Sequence, residues 1–276
     1  MAVKNSDGKT LNFLYKTAPG RLILKPLSSP LVSKICGGFL DCRLSKPLIS
    51  TFVKKNNIDL SDYEADNFGC FNDCFCRKIK DGRRTVDYDT SALISPCDGL
   101  LSAYKINGDT VLPIKQSLYT IPSLLGGSAL AEKYKDGICL VFRLCVHHYH
   151  RYCYPADGTK EKNIFIKGKL HTVRPIALES LPVFTENSRE YTVIKTDKFG
   201  DIVQMEVGAL LVGKIKNHHS NETSVIKGTE KGMFMYGGST IILLLQNDVK
   251  IKEELFEKTK NGIETPVLLG ERLNII

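Results

Sequence analysis

Tryptophan is absent from the 276 residues, and the longest strongly apolar run is the short segment 241–245. A membrane-spanning helix needs roughly 20 apolar residues, so the sequence predicts no transmembrane helix. The first residues carry no continuous apolar stretch with a small-residue cleavage site, so we expect no signal peptide. These absences argue against integral membrane and secreted proteins, and we expect an intracellular chain.

Paired metal-binding cysteines are also missing. The nine cysteines are scattered, and the close pair Cys74 and Cys76 is not followed by a second CxxC pair. An odd and scattered set argues against a disulfide framework and predicts reduced thiols. Structural zinc needs paired ligands at a wider spacing, so the sequence predicts no metal site.

Positive charge is in excess. Lys and Arg number 38 against 30 Asp and Glu, which gives a formal net charge of +8. A surface of that charge suits nucleic acid, anionic lipid headgroups or an acidic metabolite, and does not choose among them. Since no aromatic-plus-basic nucleic-acid motif is visible, nucleic acid is not an expected partner.

The pattern of the chain changes near residue 85. Before it, Ser45 is predicted to cap a helix whose apolar face lies within residues 48–53 and which stops at Asn57. Phenylalanines at 68, 71 and 75 follow at helical spacing. These features predict a helical N-terminal region, residues 1–85.

Short β-type runs separated by Gly, Pro and Asp follow from residue 86, as in segments 137–144 and 201–207. We therefore predict an α+β fold, in which the helical N-terminal region packs on a mostly antiparallel β catalytic core, residues 86–276.

Two short clusters contain groups suited to proton transfer. Asp98 lies in a Pro-x-Asp-Gly sequence, which by itself predicts a turn. His147, His148 and His150 come directly after a β-type run. Imidazoles titrate near neutral pH, and no second His pair at metal-ligand spacing appears, so acid–base chemistry is favoured over metal binding.

A third cluster is the Gly-Gly-Ser-Thr sequence at 237–240, which leads directly into the apolar run. Two glycines permit a strained backbone beside the hydroxyl of Ser239. Strain at the bond between Gly238 and Ser239 would favour attack of that hydroxyl on the preceding carbonyl.

In their order and spacing, these clusters resemble the pyruvoyl-dependent phosphatidylserine decarboxylases, in the longer, second subtype. The segments 71–77, 184–189 and 227–232 also look like segments of that family. One position departs from the pattern, because Cys153 stands where the family usually has a second His. If that His assists proton transfer, Cys153, His147 or His148 takes over its work.

The resemblance implies a proenzyme that cuts itself. Asp98 would accept a hydrogen bond from His150, which would take the proton of Ser239. Attack on the carbonyl of Gly238 would divide the precursor into a β chain, 1–238, and an α chain, 239–276. Ser239 would become a pyruvoyl group, a covalent cofactor that forms a Schiff base with phosphatidylserine. Loss of carbon dioxide would then give phosphatidylethanolamine.

The resemblance also implies an anionic membrane surface as a partner, with the protein peripheral on its cytoplasmic face. Segments 20–27 and 34–40 mix cations with apolar residues, and Leu22, Ile23 and Leu24 are the predicted anchor. Packing of these segments on the β core is the alternative. The α and β chains of one precursor are expected to stay together, and a homodimer is left open.

Two other classes of function stay open at this point. A hydrolase using Cys145 or Cys153, or a Ser/His pair, would explain the His/Cys cluster but leaves the glycine-rich and Pro-x-Asp-Gly motifs unused. A non-enzymatic basic membrane-binding protein would explain the charge and nothing else.

Overall fold

The computed structural model describes residues 9–64, 67–107, 111–114, 117–127, 129–169, 183–208, 215–235 and 239–275. The α-helices are α1 (Lys9–Lys16), α2 (Ala18–Leu27), α3 (Pro30–Leu40), α4 (Leu48–Lys55), α5 (Phe71–Phe75), α6 (Ile121–Leu124), α7 (Val183–Glu186) and α8 (Glu253–Lys260). Short 3-10 helices span Arg43–Ser45 and Ala129–Tyr134. Strands of the first half are β1 (Gly99–Lys105), β2 (Val111–Ile114), β3 (Ser117–Thr120), β4 (Ile138–Leu144), β5 (Arg151–Cys153), β6 (Gly158–Lys160) and β7 (Ile164–Ile166). Strands of the second half are β8 (Arg189–Thr196), β9 (Gly200–Val207), β10 (Ile215–Asn217), β11 (Thr223–Val225), β12 (Glu230–Phe234), β13 (Ser239–Leu245) and β14 (Thr265–Val267).

Most of these strands form one large antiparallel sheet in the order β11-β6-β8-β9-β13-β4-β1-β14, with β7 paired to β8. A smaller antiparallel sheet has the order β10-β12-β5, and β2 pairs with β3. The helices of the first part of the chain precede these strands. The predicted α+β class with a mostly antiparallel core is confirmed.

Strand β13 lies inside the large sheet and is buried on both faces. It pairs with β4 from Ser239 opposite Leu144 onward, and with β9 from Thr240 opposite Val207 onward. Ile241 and Leu243 face the smaller sheet, whereas Ile242 faces the opposite core. A strand covered on both faces carries a continuous apolar run, which accounts for segment 241–245.

The first two helices pack on the face of the large sheet that lies opposite the smaller sheet. Leu14, Tyr15 and Leu24 share a core with Ile242 and its neighbours. A Cβ atom on Gly20 would lie 2.0 Å from the carbonyl oxygen of Phe13, so glycine permits the close approach of α1 and α2. Within the described residues, no helix has both the length and the hydropathy needed to cross a bilayer.

The later part of the N-terminal region packs between the β core and helices α3 and α4. Phe71 and Phe75 share a cluster with Met233 of β12, and Tyr63 shares another with Cys153 of β5. The helical region therefore packs on the core as predicted. The boundary at residue 85 stays a prediction.

Two local predictions were wrong and one is confirmed. Ser45 does not cap α4, because its hydroxyl lies 2.7 Å from the Cys42 carbonyl oxygen and accepts the Phe71 amide hydrogen at 2.9 Å. Phe68 lies outside α5. Asn57 has φ +50°, the left-handed stop that was predicted after α4.

Candidate active site

Ser239 is the first residue of β13 and is fully buried. It alternates along the strand with Ile241 and Leu243, so its side chain points toward the smaller sheet. Residue Gly238, on the other side of the predicted cleavage point, lies outside the described residues. The strand register with β4 and β9 therefore fixes the predicted nucleophile on one face.

His150 lies directly before β5 and meets Ser239 from the smaller sheet. Its Nδ1 atom is 3.4 Å from Ser239 Oγ, and its ring stacks on Phe75 with centroids 4.0 Å apart. The Phe234 amide donates to the His150 carbonyl at 2.9 Å. These contacts hold the imidazole between α5 and β13 with no exposed surface.

The protonation of His150 suits it to accept a proton. Its Nε2 lies 3.1 Å from the Cys145 carbonyl oxygen, which can only accept a hydrogen bond. A proton on Nε2 therefore leaves a lone pair on Nδ1, the atom that faces Ser239. Burial, the Arg77 guanidinium and His148 hold the pKa of His150 well below its usual value, so the ring is neutral near pH 7.

Asp98 is held elsewhere, and the expected hydrogen bond from His150 to Asp98 is absent. Arg84 donates from Nε to Oδ1 at 2.8 Å and from Nη2 to Oδ2 at 2.5 Å, and the Leu269 amide donates to Oδ1 at 2.9 Å. A bidentate arginine is the stronger partner for a buried carboxylate. The carbonyl of Cys145 fixes the His150 tautomer in its place.

His147 and His148 form the turn between β4 and His150. The two rings meet edge to face, with centroids 4.3 Å apart. His148 Nδ1 accepts the Cys145 amide hydrogen at 3.0 Å. The imidazoles of His148 and His150 therefore both bind the backbone of Cys145. Burial and the neighbouring His147 lower the pKa of His148 to about 4. His147 is more exposed, and burial lowers its pKa as well.

Cys153 lies apart from His147 and His148. Its thiol is buried among Tyr63, Ile94, Tyr149 and neighbouring apolar residues, 3.9 Å from the Ser95 carbonyl oxygen. Burial raises the pKa of the Cys153 thiol well above its usual value, so it stays protonated near pH 7. A hydrolase that used Cys153 as nucleophile would need the opposite shift.

Three residues at the site were missed as site residues by the sequence analysis. Phe75 stacks on His150, Arg77 binds the turn that carries it, and Arg84 binds Asp98. The segment 71–77 looks like part of the family pattern, but nothing in its spacing assigned contacts to Phe75 or Arg77. Cys145 acts here through its backbone, which no side-chain pattern predicts.

Comparison with known proteins decides the family. The sequence model of one family, described as phosphatidylserine decarboxylase, matches residues 71–273. A phosphatidylserine decarboxylase proenzyme 2 of Clostridium acetobutylicum is 46% identical over 265 residues, covering 95% of this chain and 90% of the relative. This chain belongs to the phosphatidylserine decarboxylase family. The predicted resemblance is confirmed.

Other members of the phosphatidylserine decarboxylase family align over nearly the whole chain. A phosphatidylserine decarboxylase proenzyme of Clostridium botulinum is 41% identical over 278 residues, with 99% of this chain and 94% of the relative covered. One of Ruminiclostridium cellulolyticum is 40% identical over 274 residues, with 97% and 91% covered. Membership favours a decarboxylase over the hydrolase and the non-enzymatic basic protein.

Proposed function

We propose that this protein is a phosphatidylserine decarboxylase that makes its own pyruvoyl group from Ser239. The observation that carries the proposal is the 3.4 Å approach of Ser239 Oγ to Nδ1 of a buried, neutral His150. The word proenzyme in the names of the relatives supports a maturation step.

Maturation begins with proton transfer from Ser239 Oγ to His150 Nδ1. The oxygen attacks the carbonyl carbon of Gly238, and the peptide bond becomes an ester. Loss of a proton from the Ser239 α-carbon expels the Gly238 carboxylate, which ends the β chain. Water then converts the dehydroalanine at 239 into a pyruvoyl group and ammonia, so that the α chain begins there.

The surroundings of Ser239 fit the formation of this group. A serine can form the pyruvoyl group where a base contacts its hydroxyl and where the chain is cut on its amino side. Ser239 is the first residue of β13, and His150 lies beside its hydroxyl. The pyruvoyl group supplies an electron-accepting carbonyl that takes up the substrate amine while carbon dioxide leaves. The imidazole of His150 remains at the same position to hold or return a proton.

In this proposal Asp98 acts indirectly, by holding together the structure around the site. Its carboxylate and the Arg84 guanidinium are both largely buried, and the Leu269 amide binds the same carboxylate. The pair therefore joins the end of the N-terminal region to the strands that follow Asp98 and precede Leu269. Of the three candidates for the family's second His, His148 is the best placed, because it shares Cys145 with His150.

Helices α2 and α3 supply the surface that binds the membrane in this proposal. Leu22, Leu31 and Ile35 are each about two-thirds exposed, and residues 9–40 contain no acidic residue. Lys25 and Lys34 are exposed among them. An apolar face with cations around it can bind anionic lipid from the surface, which supports the proposed peripheral position on the cytoplasmic leaflet. Leu24 is not part of this face, because it is buried in the core.

The test of the proposed function is the intact mass of freshly purified protein. We expect two chains, 1–238 and 239–276, with the second blocked at its amino end, and release of carbon dioxide from phosphatidylserine vesicles. Ser239→Ala is expected to stay as one chain without decarboxylase activity, because it lacks the attacking oxygen.

Thr240→Val is the matched control for Ser239→Ala. Thr240 is the adjacent buried hydroxyl, on the opposite face of β13, and its Oγ1 has no hydrogen-bond partner among the described residues. This variant is expected to be cut normally. A single full-length chain in active wild-type protein, or a cut Ser239→Ala protein, would refute the proposed maturation.

A further inference from the structure

Arg77 is a buried cation beside the proposed base. It is 2% exposed and follows α5 directly after Cys76. Its Nη2 donates to the His147 carbonyl at 2.9 Å and to the His148 carbonyl at 3.2 Å. The guanidinium carbon lies 4.3 Å from the centre of the Tyr63 ring.

Carbonyl dipoles and an aromatic face are the partners of this cation. Nη1 donates to the Cys74 carbonyl at 3.3 Å, and within the described part of the chain no carboxylate pairs with Arg77. Its Nε is buried without a hydrogen-bond partner there. A buried charge without an opposite charge is costly, so its presence in this place calls for a function.

The contacts of Arg77 fix the turn that places His150. The carbonyls of His147 and His148 are held from one side, and the Cys145 backbone is held by the rings of His148 and His150 from the other. Phe75, two residues before Arg77, forms the surface on which the His150 ring lies. Segment 75–77 therefore contacts both the 147–148 turn and the imidazole ring of His150.

We propose that Arg77 is a positioning residue for His150, which holds the 147–148 turn so that Nδ1 points at Ser239 Oγ. The proposal rests on the proposed function, in which His150 is the base. Arg77 does not touch Ser239 and takes no part in proton transfer itself.

The charge of Arg77 has a second effect on His150. Around the imidazole lie Arg77 from the segment after α5, His147 and His148 from the turn, Cys145 from the end of β4, and Ser239 from β13. Arg77 is the permanent cation in this set, and after burial it is the largest influence that lowers the pKa of His150. Removing the charge would raise that pKa, so a larger fraction of the base would be protonated in mildly acidic solution.

The experiment measures the rate of precursor cleavage against pH for wild type, Arg77→Lys and Arg77→Met. Both variants are expected to slow cleavage on the order of 10²-fold, because the turn loses its two-pronged donor. Arg77→Met is also expected to move the acidic limb of the profile upward by about one pH unit, whereas Arg77→Lys keeps the charge and leaves the limb in place.

Arg189→Lys is the matched control. Arg189 is another buried arginine that donates to carbonyls, those of Leu124, Ser123, Thr185 and Asn187, and it has no contact with the histidine turn. It is expected to lower thermal stability as Arg77→Lys does, with the pH limb of cleavage unchanged. Equal profiles for wild type and Arg77→Met would overturn the proposal.

A second measurement separates this proposal from the proposed function. The titration of the His150 ring is followed by NMR in Ser239→Ala protein with and without Arg77→Lys or Arg77→Gln, which needs no cleavage. A raised His150 pKa with Gln, and not with Lys, supports the placement of the Arg77 charge beside His150 even if the wild-type chain is never cut. An unchanged His150 titration in folded Arg77→Gln protein rejects it even if cleavage at Ser239 is established.

Discussion

The two halves of the N-terminal region differ in how many large apolar side chains they expose. In α2 and α3, Leu22, Leu31 and Ile35 are exposed, as is Phe39. In segment 67–85, Phe71 and Phe75 are buried against β12 and the His150 ring. The exposed side chains of the first half make no contact with His150 or Asp98, whereas the second half supplies Phe75 and Arg84 to the site. One compositional region serves two physical purposes.

The largest expected effect is at the Arg84–Asp98 pair, where the second half meets the β core. Removing one partner leaves the other charge buried and unpaired, which costs about 3–5 kcal/mol. Arg84→Gln and Asp98→Asn are both expected to slow precursor cleavage on the order of 10²-fold, since both loosen the same join. Cleavage is followed by denaturing gel and stability by urea unfolding of Ser239→Ala protein.

Lys78→Gln is the control for that pair, because Lys78 and Glu64 form an ion pair in the same region with both side chains about half exposed. Its effect is expected to be at most about 1 kcal/mol. Normal cleavage of Arg84→Gln beside blocked cleavage of Asp98→Asn would contradict the comparison and give Asp98 a direct part in catalysis.

The next effect compares two phenylalanines, one from each half. Phe75→Ala removes a fully buried ring and is expected to lower the free energy of unfolding by about 3–5 kcal/mol. Phe39→Ala removes a ring that is 48% exposed and is expected to change it by no more than about 0.5 kcal/mol. Both are measured by urea unfolding in the uncut Ser239→Ala protein. Equal losses would show that α3 is as firmly packed as α5.

The last expected effect, which leaves folding and cleavage unchanged, is on membrane binding. Leu31 and Ile35 share one face of α3 and are each 66% exposed, so Leu31→Ser with Ile35→Ser removes two insertable side chains. Binding to vesicles containing phosphatidylserine is expected to fall on the order of 10²-fold, from about 1.5 kcal/mol for each side chain. Binding that remains should weaken further with salt, because charge attraction is screened.

Ile226→Ser with Ile263→Ser is the control for the lipid test, since these residues are 64% and 55% exposed in the β core. It is expected to leave vesicle binding unchanged, and both double variants should be cut normally. Equal loss of binding in the two double variants would place the lipid contact outside α3.

Sequence patterns predicted most of what depends on neighbours along the chain. The β-type runs at 137–144 and 201–207 predicted strands that the structure contains, and Asn57 predicted the end of α4. Such patterns did not predict contacts between segments that are distant in the sequence. Ser45 has the sequence of a cap, but the Phe71 amide takes its hydroxyl, and that partner is visible only after folding.

The candidate site follows the same division. Motifs brought Asp98, His150 and Ser239 to attention, and two of them do meet. The sequence could not show that Arg84 pairs with the Asp98 carboxylate, because ion pairs across a turn follow no fixed spacing along the chain. Nor could it show that the Cys145 carbonyl orients His150, because every residue has such a carbonyl and geometry selects one of them.

The position of β13 has a consequence for the refolding of a cut protein. In the precursor, residue 239 is tethered to the rest of the chain, so β13 enters the space between β4 and β9 at a high effective concentration. If the chain is cut before residue 239 as proposed, the same strand would belong to a separate short polypeptide, and its return to the sheet would become a bimolecular reaction. Its apolar residues would face water while it waits. The uncut chain would then be the form that folds, and the cut protein would depend on slow unfolding rather than on reversible refolding.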